Sequence, residues 1–319
     1  MKKILVIRMS SIGDIVLTSP ILRCLKLQSN SEIHFLTKIE YIILLKSNPH
    51  VDKVFGYQSN LKNIISELKN EKYDFIIDLH NNMRSFWVKT QLRCKSFTVK
   101  KQNFRRFMLI YLGIGTLHTH VVDRYFNCIR KLNIINDNLG LDYFIPETVD
   151  VNYDIKKPYI AWSIGASHAQ KSLSARQIIN VCNNLSIPVV LLGGKNEKNK
   201  GDLIIQESTH NHIHNFCGFL NLDQSSYLLK NSTLVLSNDT GLMHIAASFQ
   251  KPIISFWGCT KPDLGFYPYM SHFQSVQLVF NSEKEPCSKH GNYCKIQKDG
   301  CVKKIDYMLI NNTILEILG

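Results

Sequence analysis

No run in this 319-residue sequence approaches 18 uncharged apolar residues, so no transmembrane helix is expected. The first apolar run, Ile4-Leu5-Val6-Ile7, is cut short by Arg8 and is too brief for the core of a signal peptide. Low-complexity tracts and short-period repeats are absent. The dinucleotide fingerprint Gly-x-Gly-x-x-Gly is missing too, because only Gly13 follows the first apolar run. No helix-turn-helix, RRM or zinc-finger pattern organises the basic residues. These absences leave a cytoplasmic globular protein, one that rests at most on the inner face of a membrane, as the expectation.

Hydrophobic residues make up 45% of the chain and charged residues 20%, which excludes intrinsic disorder and collagen-like or mucin-like architectures. Lys and Arg number 38 against 25 Asp and Glu, a net charge of +13. Such an excess suits a polyanionic partner: nucleic acid, an anionic membrane face or a phosphorylated substrate. Six of the nine cysteines are widely scattered, as in a reduced cytosolic protein rather than a secreted disulfide framework.

Short β-branched runs alternate with helical patterns. Ile4–Ile7, Ile33–Leu36 and Asp74–Asp78 read as strands, with a helix over Leu61–Lys69. The proline-bounded stretch Pro146–Pro158 has little helical periodicity and reads as a linker. Beyond it, strands are expected at Tyr159–Ser163, Val189–Leu192, Thr233–Ser237 and Ile253–Phe256. Helices fit Ala175–Leu185, Glu197–Glu207, the segment from the Asn238 turn through Ala247, and Asp306–Leu318. The pattern predicts two tandem α/β domains, 1–150 and 151–319, each a parallel sheet covered on both faces, with the last helix allowed to pack back on the first domain.

Three loops follow strands, where open parallel sheets bind ligands. In Arg8-Met-Ser10-Ser11-Ile-Gly13-Asp14, Ser11 and Asp14 fit either a capping box or a site; a rival reading starts the main helix at Ser19 as N-cap with Pro20 next. In Ser237-Asn-Asp239-Thr240-Gly241-Leu-Met-His244, a strand ends and a helix begins, so amides and macrodipole suit a phosphate, while Asp239 or Thr240 equally serves as a simple cap. His244 alone reads as a packed histidine. In Gly165-Ala-Ser167-His-Ala-Gln-Lys171, the small residues suit a turn that approaches phosphate and Lys171 suits a diphosphate, against the plainer reading of a solvated loop before a Ser174 cap.

Two further features stand out. From Leu79 to Val122 there is no acidic residue, while Arg84, Lys89, Arg93, Lys95, Lys100, Lys101, Arg105 and Arg106 are interleaved with five Phe or Trp residues. This tract suits nucleic acid, lipid headgroups or an anionic acceptor. Near the end, Cys287-x2-His290-x3-Cys294-x6-Cys301 offers three thiols and an imidazole for tetrahedral zinc, with a free-thiol loop or local disulfide as the alternative.

Taken in order, Ser10-Ser-Ile-Gly-Asp14 with Thr18-Ser-Pro20, Asp78-Leu-His80-Asn-Asn-Met-Arg84, His120-Val-Val-Asp-Arg124-Tyr, Asp239-Thr-Gly-Leu-Met-His244-Ile-Ala-Ala and Trp257-Gly-Cys-Thr-Lys-Pro262 resemble segments of the lipopolysaccharide heptosyltransferases, glycosyltransferase family 9. The resemblance implies a GT-B fold, with two Rossmann-like domains facing across a central cleft. It implies metal-independent, inverting transfer of a sugar, heptose from ADP-heptose in the family, to a lipid-linked anionic glycan, with no cofactor. It carries the role of base to Asp14 and donor binding to Gly165, Ser167, Lys171, Glu197, Asp239, Thr240, Gly241 and His244. Acceptor binding falls to Ser10, Ser11, Gly13, His80, Arg84, Arg105, Arg106 and Arg124. Three departures are visible: Arg8 stands where several members have Lys, the loop His168-Ala-Gln-Lys171 differs from the aromatic-rich version of classical heptosyltransferases, and the cysteine-histidine segment is absent from those classical members. A nucleic-acid-binding protein without catalysis and a GT-B sugar-nucleotide epimerase are the competing readings; the basic tract has no use in the epimerase.

Overall fold

Residues 1–115, 119–154 and 156–319 are described in the computed structural model. The chain divides into two units, Met1–Gln102 with Thr119–Pro146, and Asn103–His118 with Glu147–Gly319.

The first unit grows from β1 (Lys3–Ile7), whose Leu5, Val6 and Ile7 are fully buried, as expected for a strand covered on both faces. There follow α1 (Ile12–Val16), α2 (Ser19–Ser29), β2 (Glu32–Lys38), β3 (Lys53–Tyr57), α3 (Lys62–Asn70), β4 (Phe75–Asp78), α4 (Met83–Leu92) and β5 (Lys95–Thr98). The five strands are all parallel, in the order β3-β2-β1-β4-β5. Both readings of the first helix are realised: Ser11 caps α1, and Thr18, one residue ahead of the expected cap, begins α2 with Pro20 in its first turn. After the short helix α5 (Asn103–Phe107), which is grouped with the second unit, α6 (Val121–Ile129) returns to the first. Buried Arg23 of α2 ties down the following segment through Asp137, at 2.7 and 2.8 Å, and Asp142.

The second unit runs β6 (Ile160–Ser163), α7 (Ala175–Cys182), β7 (Val189–Leu192), α8 (Lys198–Glu207), β8 (Ile213–Asn215), α9 (Leu222–Asn231), β9 (Leu234–Asn238), α10 (Gly241–Ser248), β10 (Ile253–Trp257), β11 (Val276–Val279) and α11 (Tyr307–Leu318). Its six parallel strands lie in the order β11-β10-β9-β6-β7-β8, so the winding reverses between β6 and β9 as it does between β1 and β4 in the first unit. Trp162 stands in register with Leu191 on one side and Leu236 on the other, within the core of this unit. The last helix buries Ile310 and Ile314 in that same core and packs on α7. Within the stretch read as a linker, Tyr153 packs edge-on against Tyr159 at 5.1 Å.

Candidate active site

In a doubly wound parallel sheet, the two loops that diverge at the switch point leave a crevice at the carboxyl ends of the strands. In the first unit those loops follow β1 and β4. Arg8, just past β1, pairs with Asp14 at 2.6 Å and donates to the carbonyls of Leu79 at 2.7 Å and Ser10 at 2.9 Å. It thereby ties together both loops of the switch point. Asp14 also accepts from the N–H and hydroxyl of Ser11, at 3.2 and 3.1 Å. Burial pushes the Asp14 carboxyl up, but Arg8 and the Ser11 donors outweigh it and hold the group below the usual carboxylate range. Asp14 is therefore ionised at neutral pH. Gly13 is buried within α1.

The loop after β4 is pinned by Asp78, fully buried and accepting from the N–H groups of His80 and Asn81, from the Ser85 hydroxyl and from Lys89. Buried Nδ1 of His80 has no hydrogen-bond partner among the described residues. Burial, with Arg8 and Lys101 nearby, pushes the imidazole down to about 4, so His80 is neutral at pH 7. Arg124 on α6 is 5% exposed and interacts electrostatically with Asp14 and Arg8. The first unit thus gathers Ser10, Ser11, Gly13, Asp14, His80 and Arg124 around one arginine. Arg84 is exposed on α4 and lines a hollow with Lys62 and Trp87. Arg105 and Arg106 lie on α5, with the second unit; Arg106 is buried over the ring of Phe266 at 5.3 Å. Sequence spacing had placed both on the first domain, and could not show which basic side chain of an aromatic-rich tract would turn inward.

In the second unit the diverging loops follow β6 and β9. Asn238, fully buried at the end of β9, donates to the carbonyl of Gly165 at 3.0 Å and of Ser163 at 3.4 Å, and accepts from the N–H of Leu173 at 3.4 Å. One carboxamide therefore holds the β6 loop against the β9 turn. Lys171 closes a 3-10 turn at Ala169–Lys171 and meets Asp239 at 2.5 Å, with both side chains almost buried. The same carboxylate oxygen accepts from Thr260 at 3.0 Å. Thr240 is the N-cap of α10, so the amides from Gly241 onward open a helix whose first turn has no intrahelical acceptors. His244 is buried on that helix. Glu197 accepts from the N–H of Gly194 at 2.9 Å and lies against Gly165, where a side chain would come 3.0 Å from its carboxyl carbon. Ser167 is exposed on the same loop. Lys200 on α8 adds an unforeseen brace, donating to the carbonyl of Leu173 at 2.6 Å and the Ser172 hydroxyl at 2.7 Å. Arg8, Asn238 and Thr260 lay within the motifs but were given no role by the sequence; for Asn238 and Thr260 the available signal was a place beside a charged motif residue, Asp239 and Lys261, and for Arg8 its own charge at the end of an apolar strand.

The cysteine-histidine segment is rearranged relative to its spacing. The sulfurs of Cys259, Cys287, Cys294 and Cys301 all lie within 4.8 Å of one another. The fourth corner is thus Cys259, from the loop after β10, and not His290. Sequence spacing missed it because the sheet, not the local chain, brings Cys259 there.

Two all-parallel sheets wound alike, one with an ionised carboxylate at its switch point and the other with a lysine beside a helix start, are what a glycosyltransferase of the GT-B type is expected to carry. Residues 61–297 match the model of glycosyltransferase family 9 (heptosyltransferase), and the chain belongs to that family. It is 22% identical to lipopolysaccharide heptosyltransferase 1 of Campylobacter coli over 99% of both chains. Among solved structures, a family 9 glycosyl transferase from Veillonella parvula superposes with a TM-score of 0.78 at 21% identity, covering 99% of this chain and 97% of that one. The E. coli ADP-heptose lps heptosyltransferase II superposes with a TM-score of 0.74 at 19% identity, covering 100% and 98%. No helix among the described residues is long and apolar enough to cross a membrane.

Proposed function

We propose that this glycosyltransferase moves heptose from ADP-heptose to a lipopolysaccharide core acceptor with inversion at the anomeric carbon. The supporting observation is the pair of switch-point clusters, one offering an ionised carboxylate held by Arg8, the other an ammonium paired with Asp239 beside a helix start. The names of the relatives, lipopolysaccharide heptosyltransferases, support the donor and the acceptor class.

In this reading Asp14 takes the proton of the attacking acceptor hydroxyl. A carboxylate held at low pKa suffices, because the hydroxyl turns strongly acidic once its bond to the anomeric carbon forms. Arg8 fixes the orientation of Asp14, and Ser10, Ser11, Gly13, His80, Arg84 and Arg124 bind the acceptor. Neutral His80 presents an imidazole to a sugar hydroxyl. Lys171 and the α10 amides at Thr240-Gly241 stabilise the charge gathering on the leaving ADP. Asp239 and His244 shape that phosphate site, Gly165 and Ser167 let the chain approach it, and Glu197 meets the nucleoside. Arg105, with exposed Phe104, Phe107, Tyr111, Leu112 and Ile114, supports contact with the acceptor's lipid surface. Nucleic-acid binding and epimerisation find no comparable support.

The test is a panel of ADP-, UDP-, GDP- and CDP-sugars in thermal shift, followed by ADP release with heptose-deficient lipopolysaccharide. A melting shift with ADP-heptose alone, and ADP release only when acceptor is present, is expected; acceptor-independent turnover or a preference for another nucleotide refutes the reading.

A further inference from the structure

We infer that Cys259, Cys287, Cys294 and Cys301 form a tetrathiolate metal site, for zinc or iron, that holds the Lys171 loop in place. Four sulfurs at about 2.3 Å from a central ion stand about 3.8 Å apart in a tetrahedron. The Cys259–Cys301 and Cys287–Cys294 sulfur separations are both 3.8 Å, whereas a disulfide needs about 2.05 Å. All nine cysteines are free thiols, and this group comes from two separate connections, Cys259 from the loop after β10 and the other three from the segment between β11 and α11. At Cys294 the backbone is arranged as a thiolate ligand requires. The N–H groups of Ile296 and Gln297 point at the Cys294 sulfur, at 3.4 and 3.5 Å, and the N–H of Cys287 ties the two connections together by donating to the Cys259 carbonyl at 2.9 Å. A divalent ion entering here displaces four thiol protons to solvent and leaves a centre of charge −2.

The cysteine loops press on the proposed phosphate-binding turn. A Cβ on Gly300, at φ +100°, would lie 2.2 Å from the Gln170 carbonyl oxygen, and one on Gly291, at φ +73°, would lie 2.4 Å from Cγ of Lys171. Two glycines in left-handed conformations therefore let the metal-bound loops lie directly on the backbone before Lys171 and on its side-chain stem. This second half of the inference rests on Lys171 binding the donor diphosphate; the metal site itself does not.

The experiment measures metal content by plasma mass spectrometry on the full-length chain purified anaerobically under reducing conditions. One zinc or iron per chain is expected, lost in Cys294→Ser and Cys259→Ser and retained in His290→Ala. Less than a tenth of an ion per chain, even after zinc is added back, overturns the site. Metal loss in His290→Ala with retention in Cys259→Ser overturns this ligand set. Because a cysteine variant can fail to fold, cobalt exchange in the unmutated protein supplies a second reading, with the absorption of a tetrathiolate expected and its absence contrary. ADP affinity, measured by calorimetry, should fall about 10- to 100-fold when the metal is removed, the worth of one charge-assisted hydrogen bond. Unchanged affinity after removal overturns the coupling to Lys171, while the metal count still decides the site.

Discussion

Replacing Lys171 by Met removes one ammonium from a nearly enclosed pair. At 2.5 Å and an effective dielectric near 20, the Lys171–Asp239 attraction is about 7 kcal/mol before desolvation is counted. Desolvation of both ions offsets most of that. What remains is the cost of leaving Asp239 without its partner. Thr260 still donates to the carboxylate, so about 1–3 kcal/mol of stability is lost. Donor binding loses a charge-assisted hydrogen bond worth about 1.5–3 kcal/mol, so the Kd for ADP rises about 10- to 100-fold. The double variant Lys171→Met/Asp239→Asn separates the two effects. It removes the orphaned charge and recovers most of the stability, yet still binds ADP weakly. Calorimetry with ADP and denaturant unfolding without ligand measure both quantities. An ADP affinity within twofold of the unaltered protein in Lys171→Met refutes the phosphate role, whatever happens to stability.

Three other outcomes are expected. Asp14→Asn keeps a side chain of the same shape beside Ser11 but has no anionic oxygen to accept a proton; turnover should fall about 10²- to 10⁴-fold with ADP affinity retained, and near-normal turnover removes Asp14 as base. His80 holds its proton only below about pH 4 in the folded chain, whereas an unfolded histidine binds it below about pH 6.5. Between those values the unfolded chain carries more protons, so stability declines as pH falls through the window; in His80→Asn that part of the slope should vanish, as urea titrations at several pH values would show. Arg23→Met strands Asp137 and Asp142 and should cost about 3–5 kcal/mol of unfolding free energy, and a loss under 1 kcal/mol would show the cluster to be ornamental.

The buried strands were legible because parallel sheets write themselves as short β-branched runs: Val189–Leu192 agrees to the residue, and β1, β4, β6, β9 and β10 to within one. Strands β3, β5, β8 and β11 escaped. Lys53–Tyr57 and Lys95–Thr98 carry lysine and serine because they lie at the edges of the first sheet, where one side is solvated and the apolar signal thins out. The motif loops were visible for a related reason, since each follows a strand that could be read. What sequence could not supply was the partner of each motif residue. Asp14 was marked, yet its fixing by Arg8 across two loops depends on how β1 and β4 sit side by side. Cys259 lies 28 residues before Cys287, too far for any local spacing rule, and it joins the other sulfurs only because β10 ends beside them.

The carboxamide of Asn238 has a consequence for how the nucleotide arrives. It bridges two loops with one rigid planar group, and its oxygen and nitrogen are both occupied. An aspartate there would turn a negative oxygen toward the carbonyls of Ser163 and Gly165, and a shorter serine would not span the gap. The cradle proposed for the diphosphate is consequently braced before any ligand enters, and on that proposal little ordering entropy is left to be lost on binding. Selectivity at this end of the enzyme then resides in shape already present, as in a mould, rather than in loops that wrap around their guest.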